Sequence, residues 1–123
     1  MRSIVSSHTI MPPLFNLDIR MYKICFYVPE SHIDAVKNAL FEVGAGKIGA
    51  YSCCSWQTMG EGQFMPLVES QAYIGAEGEL EKIAEYKVEM VCEDELLVQT
   101  IAALKKSHPY ETPAFQAWKV EII

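Results

Sequence analysis

Apolar and polar side chains alternate along three stretches of this chain, and a period of two predicts a β-strand in each. The stretches are Tyr22–Val28, Leu80–Cys92 and Ala114–Ile122. In the second, an apolar face alternates with a face of glutamates and lysines, which is typical of a strand with one solvated side. The pattern therefore predicts three strands of one sheet whose apolar faces share a core.

The middle of the chain predicts shorter strands separated by glycines. Ala50–Met59 is rich in aromatic, hydroxyl and cysteine side chains, which favours a strand. Gly60-Glu61-Gly62 predicts a turn, and Gln63–Val68 predicts a short third strand that Pro66 confines to a sheet edge or a bulge. Ser70–Gly78 then predicts a loop.

Two further stretches have apolar residues at helical spacing. Ser31–Val43 carries one apolar stripe and is followed by Gly44, which suits the left-handed position after a helix. Asp94–Lys106 carries a second stripe, with acidic residues in its first turn and lysines in its last, as the helix dipole favours. The sequence therefore predicts two amphipathic helices, each with one buried face.

The predicted order, β-α-β-β-β-α-β, describes an α+β fold. Two strand–helix–strand halves form a ferredoxin-like split βαβ sandwich, βαββαβ with a short extra strand, and both helices cover the same sheet face. The other sheet face still carries apolar groups, among them Cys25, Tyr27 and Trp56. Because an exposed patch of this kind is typical of an interface between subunits, we predict a homo-oligomer.

The length of 123 residues predicts one domain. Residues 1–20 lack periodicity and include Pro12-Pro13, so we expect them to form a poorly ordered N-terminal extension. Residues 21–123 are then the ferredoxin-like domain.

Charge and cysteine spacing limit the partners and the compartment. The net charge of −6 argues against a nucleic-acid partner, and the sequence has no apolar run long enough for a membrane span. The cysteines lack CxxC spacing, which favours free thiols in a cytoplasmic protein. They are Cys25, Cys53, Cys54 and Cys92.

Candidate chemistry concentrates in Ser107–Pro113, between the second helix and the last strand. The prolines stiffen this corner, because each fixes its own φ and extends the residue before it. The corner carries an imidazole, a phenol and a carboxylate, from His108, Tyr110 and Glu111. Two interpretations stay open. The residues either form a binding site or close a structural corner, in which His108 bonds nearby carbonyls and Glu111 caps backbone N–H groups; the second is favoured, since a lone His-x-x-Glu is a weak motif.

A glycine-rich segment, residues 44–49, follows the first helix. It lacks the spacing of the known phosphate-binding loops and does not open a helix, so a helix stop with a close-packed crossing is the favoured interpretation. Lys47 keeps an anion site open as an alternative, because its ammonium group lies beside glycine N–H groups.

Four motifs together resemble the inserted domain of the Nif3-like (YqfO) proteins, over about residues 21–123. They are Gly44-Ala45-Gly46-Lys47-Ile48-Gly49-Ala50-Tyr51-Ser52, Glu61-Gly62-Gln63-Phe64-Met65-Pro66, Ile74-Gly75 and His108-Pro109-Tyr110-Glu111. The last motif is also similar to a corner of the CutA proteins, which share the trimeric architecture of the PII signalling proteins.

The resemblance implies a trimer whose clefts between subunits are suited to a small ligand or a metal. It does not imply the dinuclear metal centre of the full-length family, whose ligands lie in flanking domains. Histidines are common in that family where this chain has Lys47 and Cys53. The lysine would weaken a metal site there, whereas the cysteine could still ligate a metal.

We therefore predict a non-enzymatic, oligomeric binding or regulatory module of the CutA/PII-like type. Its ligand site is expected near the corner, with Lys47, His108, Tyr110 and Glu111 as candidate residues. The alternative is a protein that binds zinc or copper through His108, Glu111 and Cys53 or Cys54, which makes a divalent metal the one candidate cofactor. An enzyme that uses Cys53 or Cys54 as a nucleophile with His108 is the least favoured hypothesis, because no third group is placed to orient the histidine.

Overall fold

The computed structural model describes residues 20–121, so nearly all of the predicted N-terminal extension lies outside the described residues. Six helices and strands follow in chain order: β1 (Met21–Val28), α1 (Ile33–Glu42), β2 (Trp56–Phe64), β3 (Glu81–Glu93), α2 (Leu97–Ser107) and β4 (Phe115–Val120). A turn of 3-10 helix precedes each α-helix. Within the described range, no helix is long and apolar enough to cross a membrane.

The strands form one antiparallel sheet in the order β2-β3-β1-β4. β3 lies between β1 and β2, and β1 lies between β3 and β4, so each helix connects two strands that are separated by a third. This is the split βαβ arrangement, and the predicted α+β ferredoxin-like fold is confirmed.

The strand register divides the side chains between two sheet faces. One row across the sheet consists of Gln57, Val88, Phe26 and Phe115, on the side that the helices cover. The next row consists of Trp56, Glu89, Cys25 and Gln116, on the opposite side, which we call the open sheet face. The period of two places every second residue of β1 in the core: Ile24, Phe26 and Val28 are fully buried.

Both helices bury their apolar stripes in the same core. Ile33, Val36 and Leu40 of α1 pack in one cluster with Leu104 of α2 and with the covered face of β1 and β3. Burial of a side chain of this size stabilises the fold by about 1.5–3 kcal/mol. The predicted stop after α1 is also confirmed, since Gly44 has φ +106.

The predicted turn at Gly60-Glu61-Gly62 and the predicted short extra strand Gln63–Val68 are wrong. β2 runs straight through both glycines, which pair with Glu85 and Ile83 of β3, and it ends at Phe64. Its start was also predicted too early, because residues 52–55 form a loop before Trp56. Both glycines therefore lie within a strand that is paired with β3, and the chain does not reverse at them.

A long connection, residues 65–80, joins β2 to β3 and contains neither helix nor strand, so the predicted loop Ser70–Gly78 is confirmed within it. Pro66 is buried at its base, and the Gly78 N–H donates a hydrogen bond to the Pro66 carbonyl at 2.8 Å. The connection is therefore folded back on itself beside the end of β2.

The open sheet face combines exposed indoles with a buried thiol. Trp56 and Trp118 are 60% and 46% exposed, whereas Cys25 is only 2% exposed. Glu89 forms ion pairs with Lys23 and Lys87 across the middle of this face. The apolar groups that were predicted for this face are thus present, but only the outer ones are accessible.

Candidate functional site

The corner between α2 and β4 begins where the helix ends. His108 has φ −76 and ψ 138, the extended backbone that the following Pro109 requires. The His108 N–H still donates to the Leu104 carbonyl at 3.0 Å. The corner therefore begins directly where α2 ends, and His108 is the first residue of the corner.

The imidazole of His108 is buried, with 6% of the residue exposed, and both ring nitrogens are engaged. Nε2 lies 2.7 Å from the Tyr27 carbonyl, which can only accept, and the Tyr110 N–H donates to Nδ1 at 3.1 Å. This arrangement requires the neutral tautomer with its proton on Nε2. Burial lowers the pKa of His108, although its bond to the Tyr27 carbonyl acts in the opposite direction.

The phenol of Tyr110 is held by a carboxylate from the sheet. Its O–H donates to Glu85 Oε2 at 2.8 Å. Burial raises the pKa of Tyr110 well above its usual range, and the bonded Glu85 carboxylate adds to the rise. The group therefore stays a neutral donor at any physiological pH. Its ring lies 6.2 Å from that of Phe64 and 6.3 Å from that of Tyr73, centroid to centroid.

Glu111 connects the corner to the long connection. Its Oε1 accepts a hydrogen bond from the Gln71 N–H at 2.8 Å, on the surface of the molecule. Together with the ring contact between Tyr110 and Tyr73, this bond holds the 65–80 connection against the corner. His108 orients the corner, Tyr110 attaches it to the sheet, and Glu111 attaches it to the connection.

Between the corner and the connection lies a cleft of about 530 Å³, which we call the corner cleft. Its walls include the rings of Phe64, Tyr73 and Tyr110. Its carboxylates are those of Glu69, Glu85 and Glu111, and no lysine or arginine is among the described residues that line it. A cavity of this size with apolar walls and a few polar groups is typical of a small-molecule site.

Most backbone N–H groups of the glycine-rich segment around Lys47 form hydrogen bonds within the fold. The N–H groups of Gly44, Ala45, Gly46 and Ile48 donate to backbone carbonyls, which leaves them no hydrogen for an anion. At Gly46, with φ +82, a Cβ would overlap the ring of Phe41. The interpretation as a helix stop with a close crossing is therefore confirmed, and Lys47 lies exposed on the surface of this segment.

The two neighbouring cysteines lie away from the corner cleft. Cys53 is exposed and has φ +59, while Cys54 lines a second cavity of about 500 Å³ together with Trp56 and Lys23. Within residues 20–121, no three histidine, cysteine, aspartate or glutamate side chains come together as a metal site would require. One chain thus does not assemble the predicted set of His108, Glu111 and Cys53.

Of the four candidate ligand-binding residues, Tyr110 and Glu111 line the corner cleft, whereas His108 lies beneath the corner with both ring nitrogens bonded to backbone groups. Lys47 does not line the corner cleft. Sequence reasoning missed Glu85, Phe64 and Tyr73, which complete the site. The alternation in β3 placed Glu85 on the solvated face, but nothing local to it indicated a partner in the corner.

Comparisons with known proteins agree with this fold. No family model matches the chain. A protein of Mycobacterium leprae named GTP cyclohydrolase 1 type 2 homolog is 42% identical over 106 residues, which are 86% of this chain and 27% of that protein. A solved Bacillus cereus protein related to NIF3 matches with a TM-score of 0.72 and 32% identity, over 83% of this chain and 26% of the other.

The periplasmic divalent cation tolerance protein CutA of Archaeoglobus fulgidus matches with a TM-score of 0.59 and 19% identity, over 83% of this chain and 85% of the other. At that identity the likeness shows the fold alone. The chain spans only 27% of the length of its Mycobacterium relative. The predicted resemblance is confirmed: the chain is a homologue of one segment of the Nif3-related (YqfO) proteins, and this chain has a CutA-like fold.

Proposed function

We propose that this chain is a non-enzymatic, oligomeric binding or regulatory module, and that its corner cleft takes a small ligand. The observation that carries the proposal is the cleft itself, with a volume of about 530 Å³. Its walls are fixed before any ligand arrives, because Tyr110 is bonded to Glu85 and Glu111 to Gln71. Preformed walls lower the entropic cost of binding, which favours a binding role for the corner.

The geometry supports binding better than catalysis. A nucleophile needs a base within hydrogen-bond reach, and a histidine base needs a free ring nitrogen. Both nitrogens of His108 are engaged by backbone groups, and Cys54 lines a different cavity. The name GTP cyclohydrolase 1 type 2 homolog belongs to much longer relatives, and this chain matches only 27% of one of them.

We further propose that the module is a trimer with its corner clefts near the junctions between subunits. The CutA-like fold supports this assembly, and so does the open sheet face, where Trp56 and Trp118 are exposed. Large aromatic side chains of this kind are enriched at interfaces, where their burial contributes most of the binding energy. The cytoplasmic location stays a prediction from the cysteine pattern.

Light scattering after size exclusion tests the assembly. A trimer has three times the chain mass of 13.9 kDa. Specific interfaces of standard size have dissociation constants from micromolar downwards. A monomer at every concentration from about 1 to 100 μM would therefore overturn the oligomeric part of the proposal.

The binding part is tested with a library of metabolites, in which genuine ligands must shift the NMR signals of Phe64 and Tyr110.

The alternative, a divalent metal bound by His108, Glu111 and Cys53, stays a prediction that needs residues from more than one subunit. Even then, a metal on His108 would displace either the Tyr27 carbonyl or the Tyr110 N–H from the ring. Titration with zinc and with copper, and with Cys53→Ser as a control variant, decides the question. Stoichiometric binding that the variant loses would favour the metal site, and no binding would end the hypothesis.

A further inference from the structure

We propose that the corner cleft selects an organic cation, a quaternary or protonated amine with an apolar body. This inference rests on the proposed function and adds the chemical class of the ligand. It is carried by two properties of the cleft that are independent of each other: the sign of its charge and the arrangement of its aromatic rings.

All the charged side chains among the described residues that line the cleft are carboxylates. Glu69, Glu85 and Glu111 line it, and its described lining contains no basic side chain. The hydrogen bonds to Tyr110 and to Gln71 occupy one oxygen each of Glu85 and Glu111, so each carboxylate keeps a second oxygen for a ligand. An anion would meet three carboxylates here, whereas a cation would be attracted by all three.

The aromatic rings supply the second half of the recognition. Phe64, Tyr110 and Tyr73 follow one another at centroid distances of 6.2 and 6.3 Å, with neighbouring planes tilted by 50° and 43°. All three border the same cleft. The faces of such rings attract cations, and a group of rings beside a carboxylate is the usual way in which proteins recognise alkylated amines.

The second cavity of the chain makes a useful contrast. It also has an aromatic side chain, Trp56, but its glutamate, Glu89, is neutralised by ion pairs with Lys23 and Lys87. Charge and aromatic walls therefore coincide in the corner cleft and not in the second cavity, and the cation is assigned to the former.

The test uses choline as the probe, with its neutral carbon isostere, in which carbon replaces the ammonium nitrogen. In that neutral isostere a tert-butyl group replaces the trimethylammonium group. The third probe is a carboxylate of similar size that also carries a tert-butyl group. Each is titrated into the whole chain while the NMR signals of Phe64, Tyr73 and Tyr110 are followed. We expect choline to shift these signals and to bind at least about tenfold more tightly than the neutral isostere, as one favourable charge interaction implies.

Two substitutions remove charge without removing a hydrogen-bond acceptor. Glu85→Gln can still accept from Tyr110, and Glu111→Gln can still accept from Gln71. Each is expected to weaken choline binding by about tenfold, while the neutral isostere is little affected. Glu42→Gln, on an exposed residue at the end of α1, is the matched control and should bind choline as the unmodified chain does.

The outcomes separate this inference from the proposed function. If the neutral or the anionic probe shifts the three ring signals as strongly as choline, the cleft binds ligands but the assignment to cations is overturned. If no probe and no metabolite shifts them, both the inference and the binding role fail. Binding of choline that survives in both glutamine variants would place the probe elsewhere and would also overturn the inference.

Discussion

His108 stabilises the corner through both ring nitrogens at once. We expect His108→Ala to lower the free energy of unfolding by about 2–4 kcal/mol, because the Tyr27 carbonyl and the Tyr110 N–H would both lose a buried partner. Urea denaturation followed by circular dichroism measures the loss. His32→Ala is the control: its ring is bonded to the exposed Ser31 hydroxyl and lies nearly perpendicular to the Tyr73 ring, so its loss should cost at most about 1 kcal/mol. Equal losses in the two variants would contradict this role for His108.

The same imidazole makes stability depend on pH. Its pKa in the folded chain lies below the ordinary value of 6.5, since burial disfavours the charged ring. The unfolded chain therefore binds the proton first, and the free energy of unfolding falls as pH drops below about 6.5, by at most about 1.4 kcal/mol per pH unit from this group. Measured from about pH 7.5 to pH 5.5, where histidines titrate, the difference between the unmodified chain and His108→Ala should shrink. A constant difference would contradict the buried neutral ring.

At the scale of the strands, Gly62 makes room for the carboxylate that holds the corner. A Cβ at this position of β2 would overlap the Glu85 side chain on the neighbouring strand. Gly62→Ala should therefore push Glu85 away from the Tyr110 hydroxyl and cost about 1–2 kcal/mol, the value of a hydrogen bond to a charged group less any gain in strand propensity.

Gly60 provides the matched control for Gly62, since it lies two residues earlier in the same strand and a Cβ there would meet nothing within 4 Å. Gly60→Ala should leave stability unchanged or raise it slightly. Urea denaturation compares the two variants, and the NMR signal of the Tyr110 ring reports the loss of its partner. If Gly60→Ala and Gly62→Ala behave alike, Glu85 does not depend on the space above Gly62.

The strands show what the sequence could and could not indicate. Alternation predicted Tyr22–Val28 and Leu80–Cys92, which the structure extends or shifts by a single residue, because the helix layer buries every second side chain. The same reasoning misjudged Gly60 and Gly62, which usually mark a turn. The tertiary structure explains Gly62, which leaves space for the side chain of Glu85 in β3, 23 residues later in the sequence.

The residues of the candidate site also fall into two groups, those that a local sequence signal indicated and those that it did not. Its corner residues were indicated by the prolines around His108, Tyr110 and Glu111, which are local signals. Phe64, Tyr73 and Glu85 carry no such signal, because their role depends on which strands become neighbours and on how the long connection folds back. Lys47 was a candidate because of its glycine neighbours, but the amides of Gly44 and Ala45 close the end of α1, and that of Gly46 donates to Val91 of β3.

At the scale of the whole molecule, the helix layer and the open sheet face offer different surfaces to a second copy. Trp118→Lys puts a charge on the open sheet face, beside Lys23 of β1, at a residue that is 46% exposed. Because an indole at an interface commonly contributes about 2 kcal/mol or more, we expect light scattering to show dissociation to 13.9 kDa. Val98→Lys, on a residue of α2 that is 81% exposed, is the control and should keep the oligomer. An oligomer that survives Trp118→Lys but dissociates in Val98→Lys would place the interface on the helix layer instead.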